Sequence, residues 1–214
     1  MLLTKISVLK KLLSLILLST ITLFSTGYQN LFSQNYEEEM QQFRTEGITL
    51  LWQSERQPIM PEDTIYLNYY PINADYHNAC ELIFPKKPKP FKIATYSGQQ
   101  REYILWATAV TEINGIEISL ELYRNYEQLT LGNYTDYLFL PFKDATNGSQ
   151  TYGGGRYMNL SIEQIEQEGC FLDFNKAYNP WCAYRDGFNC PIPPRANHLA
   201  IEIEAGEKNF TKAN

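Results

Sequence analysis

The sequence predicts a mostly β protein, an antiparallel barrel or sandwich with one N-terminal helix. About nine short segments rich in Ile, Val, Tyr and Thr follow one another along the chain, as in antiparallel all-β domains. The dipeptide Asn114-Gly115 joins two of these segments, and Asn-Gly is the strongest short hairpin signal. A clear helical period occurs in one stretch near the N-terminus.

That stretch predicts a helix over Tyr36–Trp52. Apolar residues recur in it at spacings of three and four, which places them on one helical face. Three consecutive glutamates, Glu37, Glu38 and Glu39, occupy the first turn, where the helix dipole favours negative charge.

After Asp63 the apolar period changes to two, which predicts strands. The segment between Pro85 and Pro90 contains three prolines and cannot form a central strand. We find no internal repeat and therefore expect a single β-rich domain over residues 28–214. The predicted strands are Thr64–Tyr70, Cys80–Phe84, Phe91–Tyr96, Glu102–Ile113, Ile116–Arg124, Asp136–Phe142, Arg156–Ile162, Cys170–Asn175 and His198–Ala205.

Residues 1–27 have the layout of a secretory signal peptide. Lysines come first, the apolar stretch Leu12–Phe24 follows, and small residues at Ser25 and Gly27 suit cleavage. The alternative is an uncleaved N-terminal anchor. The apolar stretch is shorter than the ~20 residues of a membrane-spanning helix, so we expect export to the periplasm or the exterior and no span after cleavage.

Charge and composition exclude several classes of function. The chain has 18 Lys and Arg against 24 Asp and Glu, a formal net charge of −6, which argues against a nucleic-acid partner. With two histidines and no C-x-x-C or H-E-x-x-H motif, we expect no metal site and no cofactor. The G-x-S-x-G motif of a serine hydrolase is also missing from the sequence.

The four cysteines all follow the signal segment, and an even number in an exported chain indicates disulfides. Cys182 and Cys190 are close in sequence, and the turn signal Asp186-Gly187 lies between them, so we predict that they are bridged. The alternative is a pair of small buried thiols. Cys80 and Cys170 either pair or simply pack.

A group of polar side chains forms the candidate site for a small polar or anionic ligand. Three glycines precede Arg156 and expose backbone N–H groups, while Arg156 offers a planar fork for an anion. The alternatives are a bulged hairpin with a structural arginine–aspartate pair, and a buried network that fixes the C-terminal loop. The candidate ligand-binding residues are Asp144, Tyr152, Arg156, Asp173, Asn175 and Tyr178.

We further expect Arg156 and Asp173 to lie on neighbouring strands and to face one polar cavity, with Asp173 or Asp144 paired to the guanidinium. Three functions remain open. The first is an exported, non-enzymatic binding module, the second a hydrolase with Asp173 as base, and the third a structural envelope protein without a ligand. The Pro-rich loop Trp181–Pro194 is expected to cross the surface as a lid or to present Trp181 for stacking.

Seven segments follow one another along the chain: LNYYPINADYH, SGQQREYILWATAVTEINGIEISLELYRN, YLFLPFKDATNGSQTYGGGRYMNL, LDFNKAYNPWCAY, CPIPP, N-x-L and AGEK. In this order they resemble a bacterial family known as domain of unknown function 1684. The resemblance covers about residues 36–210, and Asp173–Pro194 is its most specific part. It implies a mostly β, often exported domain and carries over no catalytic residues.

Overall fold

Eight strands form two antiparallel sheets in the described part of the chain, which is residues 34–133 and 135–212 of a computed structural model. In the larger sheet the order is β2-β4-β5-β6-β7, and β3 also pairs with β4, while β1 and β8 form a small second sheet. These described strands close no barrel, so the sandwich-like alternative of the prediction fits. The strands are β1 (His77–Ala79), β2 (Glu81–Ile83), β3 (Pro90–Ala94), β4 (Gln100–Ile113), β5 (Ile116–Asn125), β6 (Tyr137–Phe142), β7 (Arg156–Ser161) and β8 (Phe171–Asp173).

The β4–β5 hairpin is the longest pairing in the sheet and confirms the Asn-Gly prediction. Ile113 pairs with Ile116 across the turn. Asn114 and Gly115 have φ values of 51° and 79°, the left-handed region that a two-residue type I′ turn requires and that Asn and Gly enter most easily.

Three α-helices lie in the described residues: α1 over residues 34–53, α2 (Tyr126–Thr130) and α3 (Ile162–Glu168). The first confirms the predicted helix. The chain divides into the compact units Met1–Gln42 and Phe43–Asn214; the described part of the first is helical, and the second contains both sheets. The predicted single domain stays a prediction, and the predicted signal peptide lies outside the described residues.

None of the helices between residues 34 and 212, residue 134 aside, combines the length and the apolar character that crossing a bilayer requires.

Two predicted strands are wrong. Where Thr64–Tyr70 was expected to be extended, a 3₁₀-helix spans Pro61–Tyr66, because Pro61 presets a helical φ at its first turn and two acids follow it. The segment His198–Ala205 keeps the predicted alternation of burial but forms no strand ladder. Its backbone N–H and carbonyl groups are instead hydrogen-bonded to residues 143–145 and to the side chain of Arg156.

The larger sheet buries apolar residues on both faces. Because successive side chains of a strand point to opposite faces, Leu138 and Leu140 of β6 enter one cluster and Tyr137 and Phe139 the other. We call the first the main core; it is largely aliphatic. We call the second the aromatic face, since Tyr, Phe and Trp rings dominate it.

Candidate functional site

Two disulfides tie loops to the two apolar clusters. Cys182 pairs with Cys190, with their Cα atoms 6.3 Å apart, which confirms the predicted bridge. Cys80 pairs with Cys170, with Cα atoms 5.1 Å apart, which resolves the alternative left open by the sequence. The first pair belongs to the aromatic face and the second to the main core.

Arg156 is fully buried at the start of β7, and its guanidinium clamps the C-terminal segment. Its Nη2 donates to Asp144 Oδ2 and to the carbonyl of Ile203, both at 2.8 Å. Its Nη1 donates to the carbonyls of Ala205 and Glu207. The side chain therefore holds the C-terminal segment with three charge-assisted hydrogen bonds to its carbonyls, in place of a strand ladder.

Asp144 completes this network from the other side. Its Oδ1 accepts from the backbone N–H and the hydroxyl of Thr146, and the Thr146 and Thr151 hydroxyls are 2.7 Å apart. The ion pair has no exposed side-chain surface on either partner. Of the two expected partners, Asp144 is the one that pairs with Arg156, and the arrangement matches the structural arginine–aspartate alternative.

Two of the three glycines before Arg156 allow a close approach between segments. A Cβ at Gly154 would lie 2.1 Å from the Tyr96 hydroxyl oxygen. One at Gly155, where φ is +94°, would lie 2.6 Å from the Phe142 carbonyl oxygen and 2.8 Å from Pro193. The glycines therefore bring the chain against Tyr96, Phe142 and Pro193.

Asp173 and Asn175 lie elsewhere, and the expectation that Arg156 and Asp173 occupy neighbouring strands is wrong. β8 pairs with β1 in the small sheet, whereas β7 pairs with β6 in the larger one. Asp173 Oδ1 accepts from the backbone and side-chain N–H groups of Asn175, which in turn exchanges two hydrogen bonds with the backbone of Asn73. Both residues are buried, and they secure the loop before β1.

The two candidate tyrosines also separate. Tyr152 is half-buried, and its ring centroid lies 6.4 Å from that of Tyr96. Tyr178 packs edge-on against Tyr157 and is the one candidate that lines the cavity described next. A ligand-binding role for the six predicted residues stays a prediction.

A cavity of about 560 Å³ lies between the aromatic face and residues 178–191, which contain the Cys182–Cys190 bridge and which we call the disulfide-closed loop. The sheet lines it with Tyr103, Tyr137, Phe139 and Tyr157. The loop supplies Tyr178, Trp181 and Phe188 together with Cys190 itself. Consecutive rings contact one another: Tyr103 stacks on Phe139 at 5.6 Å, and Phe139 meets Tyr157 edge-on at 4.8 Å.

Three arginines line this cavity, Arg56, Arg101 and Arg124, and no carboxylate does among the described residues. Arg124 is half-buried, and its Nη2 donates to the Thr135 carbonyl at 2.7 Å. Arg56 lies over the rings of Phe188 and Trp181, 4.8 and 5.5 Å from their centroids. In the described ranges none of the three forms a salt bridge, so their charge is available to an anion.

The tyrosine hydroxyls of the cavity wall are engaged within the protein. Tyr137 and Tyr178 both donate to Asn159 Oδ1, at 2.6 and 2.8 Å, and Tyr157 donates to the Pro191 carbonyl. Burial raises the pKa of Tyr178 to about 12 and raises those of Tyr137 and Tyr157 further. These groups therefore remain protonated donors at neutral pH, and the wall presents ring surface to the cavity.

Glu207 is a buried carboxyl near the C-terminus, and the sequence analysis did not single it out. Its carboxylate accepts from the backbone N–H of Asn179 at 2.9 Å and from the Tyr184 hydroxyl at 2.8 and 2.9 Å. Burial raises the pKa of Glu207 to about 7, although these donors and the Arg156 charge act in the opposite direction. Glu207 thus connects the clamped C-terminal segment to the disulfide-closed loop.

The cavity arginines were missed by sequence reasoning, although one signal was present. Arg101 and Arg124 both lie at the end of the β4–β5 hairpin that is remote from Asn114-Gly115. Hairpin register alone would therefore have placed them at the same end of the sheet. No sequence pattern around Arg56 indicates that it lines the cavity, which it reaches from the segment after α1. No three side chains of His, Cys, Asp and Glu within the described ranges are grouped to hold a metal ion.

Comparison with known proteins gives a family and several structural relatives, one of which is described below. No curated protein matches the chain. The solution NMR structure of an uncharacterized protein from Haloarcula marismortui matches with 31% identity and a TM-score of 0.65, over 85% of this chain and 98% of that one. The family model described as "Protein of unknown function (DUF1684)" matches residues 65–208, and the chain therefore belongs to the DUF1684 family.

Proposed function

We propose that this protein is an exported, non-enzymatic binding module that holds a small anionic ligand in the cavity between the aromatic face and the disulfide-closed loop. The observation that carries the proposal is the lining itself: three arginines around a wall of aromatic rings, with no carboxylate among the described lining residues. A volume of about 560 Å³ lies in the range of small-molecule sites.

The positive charge of the cavity lining favours an anionic ligand, although the net charge of the whole chain is negative. The protein carries a formal net charge of −6, yet the described lining residues contribute three positive charges. Positive groups gathered in a cleft with low-dielectric walls concentrate anions there. The protein as a whole would repel the same anions, so attraction is confined to this site.

The proposal relocates the site predicted from sequence. Of the six predicted ligand-binding residues, Tyr178 lines the cavity. Arg156 and Asp144 bond to each other and to backbone groups in the interior, which supports a scaffolding role for them. A hydrolase that uses Arg156 and Asp173 together has no geometric support, because the two residues belong to different sheets.

The proposal of export is supported by the sequence layout of residues 1–27 and by the two disulfides, which persist in oxidising compartments. N-terminal sequencing of the protein after cell fractionation tests it. We expect a mature N-terminus near Tyr28 outside the cytoplasm, whereas intact Met1 in the cytosol would contradict export.

Binding is tested by isothermal titration of the mature protein with four anions: inorganic phosphate, gluconate, 2-naphthoate and decanoate. We expect at least one to bind, and binding to weaken as salt is added, because screening reduces the attraction of exposed arginines. A double variant, Arg101→Ala with Arg124→Ala, should abolish binding. Arg195→Ala is the matched control, since Arg195 is exposed and does not line the cavity.

The proposal would be wrong if none of the four anions bound, or if the double variant bound as tightly as the unsubstituted protein.

A further inference from the structure

We infer that the ligand is an amphiphilic acid, with an anionic head held at Arg101 and Arg124 and an apolar body that lies against the aromatic wall. This inference rests on the proposed function and adds the chemical class of the ligand. It follows from how the polar groups of the cavity are distributed and from which of them are already bonded.

The cationic groups for a head are concentrated at one end of the sheet. Arg124 pairs with Ile104 near the end of β5, and Arg101 lies three residues before Ile104 on β4. The hydrogen bond from Arg124 Nη2 to the Thr135 carbonyl holds this guanidinium in place, and its buried Nε has no hydrogen-bond partner in the structure. A guanidinium fixed in this way and without a carboxylate is suited to an acid group from outside.

The aromatic part of the wall offers little to a polar body. The lining also includes the amides Asn125, Gln128 and Asn189, of which Asn125 and Asn189 are already hydrogen-bonded within the protein. The hydroxyls of Tyr137 and Tyr178 are bonded to Asn159, and that of Tyr157 to Pro191. A sugar in contact with these rings would have to leave several of its own hydroxyls without partners, which is unfavourable once water is excluded. An alkyl chain or an aromatic ring has no such requirement and gains from removal of its surface from water.

Trp181 gives the body a defined contact and the experiment a signal. Its indole meets Phe188 edge-on at 5.2 Å in the loop that covers the cavity, and both rings line it. Arg56 lies over the same two rings. An apolar body that enters beside Trp181 should therefore change the tryptophan fluorescence, whereas a small ion held at the arginine end should change it less.

The test compares four probes with the mature protein: decanoate, 2-naphthoate, 1-decanol and gluconate. Decanoate and 2-naphthoate share an acid head with an apolar body, 1-decanol lacks the charge, and gluconate lacks the apolar body. We expect the two amphiphilic acids to bind at least tenfold more tightly than 1-decanol and gluconate, with a change in tryptophan fluorescence.

Two variants separate the head from the body. Arg124→Ala should weaken decanoate binding roughly tenfold or more and leave 1-decanol unchanged, because a charge-assisted hydrogen bond is lost. Trp181→Leu should weaken decanoate and leave any gluconate binding unchanged. Arg195→Ala serves again as the control for removal of one positive charge.

The outcomes distinguish this inference from the proposed function. If gluconate or phosphate binds as tightly as decanoate and the binding depends on Arg124, the anion site stands and the amphiphile inference is overturned. If no anion binds, both the proposed anion-binding function and the amphiphile inference are wrong. If 1-decanol binds as tightly as decanoate and Arg124→Ala has no effect on either, the head assignment is wrong.

Discussion

The two faces of the larger sheet use arginine in opposite ways. On the main-core side, Arg156 has no exposed surface, and its guanidinium is bonded to Asp144 and to backbone carbonyls. At the cavity beside the aromatic face, the lining residues Arg101 and Arg124 form no salt bridge within the described residues. One arginine holds the fold together, and the others have charge available for a ligand.

Under the proposed function, the arginine that stabilises the fold and the arginines that bind the ligand are different residues. A buried charge is tolerated when the structure around it supplies a counter-ion and hydrogen bonds, and its removal leaves an unpaired partner. A charge beside a cavity is partly solvated, so its removal changes the fold little and the ligand affinity much. Each face also carries one disulfide, which allows the two faces to be disturbed separately.

The largest effect is expected from the main-core disulfide. Its cysteines are 90 residues apart, and the chain-entropy relation gives a stabilisation of about 4.6 kcal/mol for a loop of that length. The double variant Cys80→Ala with Cys170→Ala should lose about this much free energy of unfolding in urea titrations. Binding at the aromatic face should persist in the folded fraction; its loss would mean that the two faces are not independent.

Replacement of the buried arginine should have the next largest effect. Arg156→Ala strands the Asp144 carboxylate and frees the C-terminal carbonyls, and we expect a loss of about 3–5 kcal/mol, measured by chemical denaturation. Arg101→Ala is the control and should change stability by less than about 0.5 kcal/mol. Equal losses in the two variants would contradict the comparison.

Glu207 should make stability depend on pH. Its folded pKa of about 7 is above the ordinary value of 4.5, so the folded state binds the proton more tightly than the unfolded state does. The stabilisation is complete below pH 4.5 and is lost as pH rises to about 7, a change on the order of 3 kcal/mol.

Glu207→Gln should therefore remove the pH dependence of the free energy of unfolding between pH 4.5 and 7. Urea titrations at several pH values measure it. The matched control is Glu204→Gln, because Glu204 is exposed. If the Glu207→Gln protein retained the slope of the unsubstituted protein, the carboxyl would not be its source.

Removal of the Cys182–Cys190 disulfide on the aromatic face should cause the smallest loss of stability of the variants considered. It should also cause the largest loss of binding. Its cysteines are eight residues apart, and the same relation gives about 2.5 kcal/mol. Cys190, Trp181 and Phe188 line the cavity, so Cys182→Ala with Cys190→Ala should weaken decanoate binding in titrations. If the Cys80–Cys170 double variant lost binding to the same degree, the loop would not be specific to the site.

Local patterns were sufficient for much of the fold. The strand pairing on either side of Asn114-Gly115 follows from turn chemistry that neighbouring residues specify. The spacing of Cys182 and Cys190, with a turn signal between them, was likewise enough to predict their bridge. The α1 helix followed from its apolar period and its acidic first turn.

The same patterns did not reveal how the residues of the candidate site are arranged in space. Alternation in His198–Ala205 correctly indicated which side chains are buried. It could not reveal that Arg156 donates hydrogen bonds to carbonyls of that segment. Asp173 and Arg156 both have strand-like surroundings, and nothing in the sequence states which sheet each strand joins.

By itself, the sequence determined the β class, the central hairpin, the helix and the short disulfide, because each depends on residues close together along the chain. The tertiary structure decided that Arg156 is part of the scaffold and that Arg56, Arg101 and Arg124 meet at one cavity. The physical reason is that a side chain's charge acts through the groups that surround it in space. Those groups come from segments far apart along the chain, as where Arg56 lies over the ring of Phe188, and local periodicity does not encode such contacts.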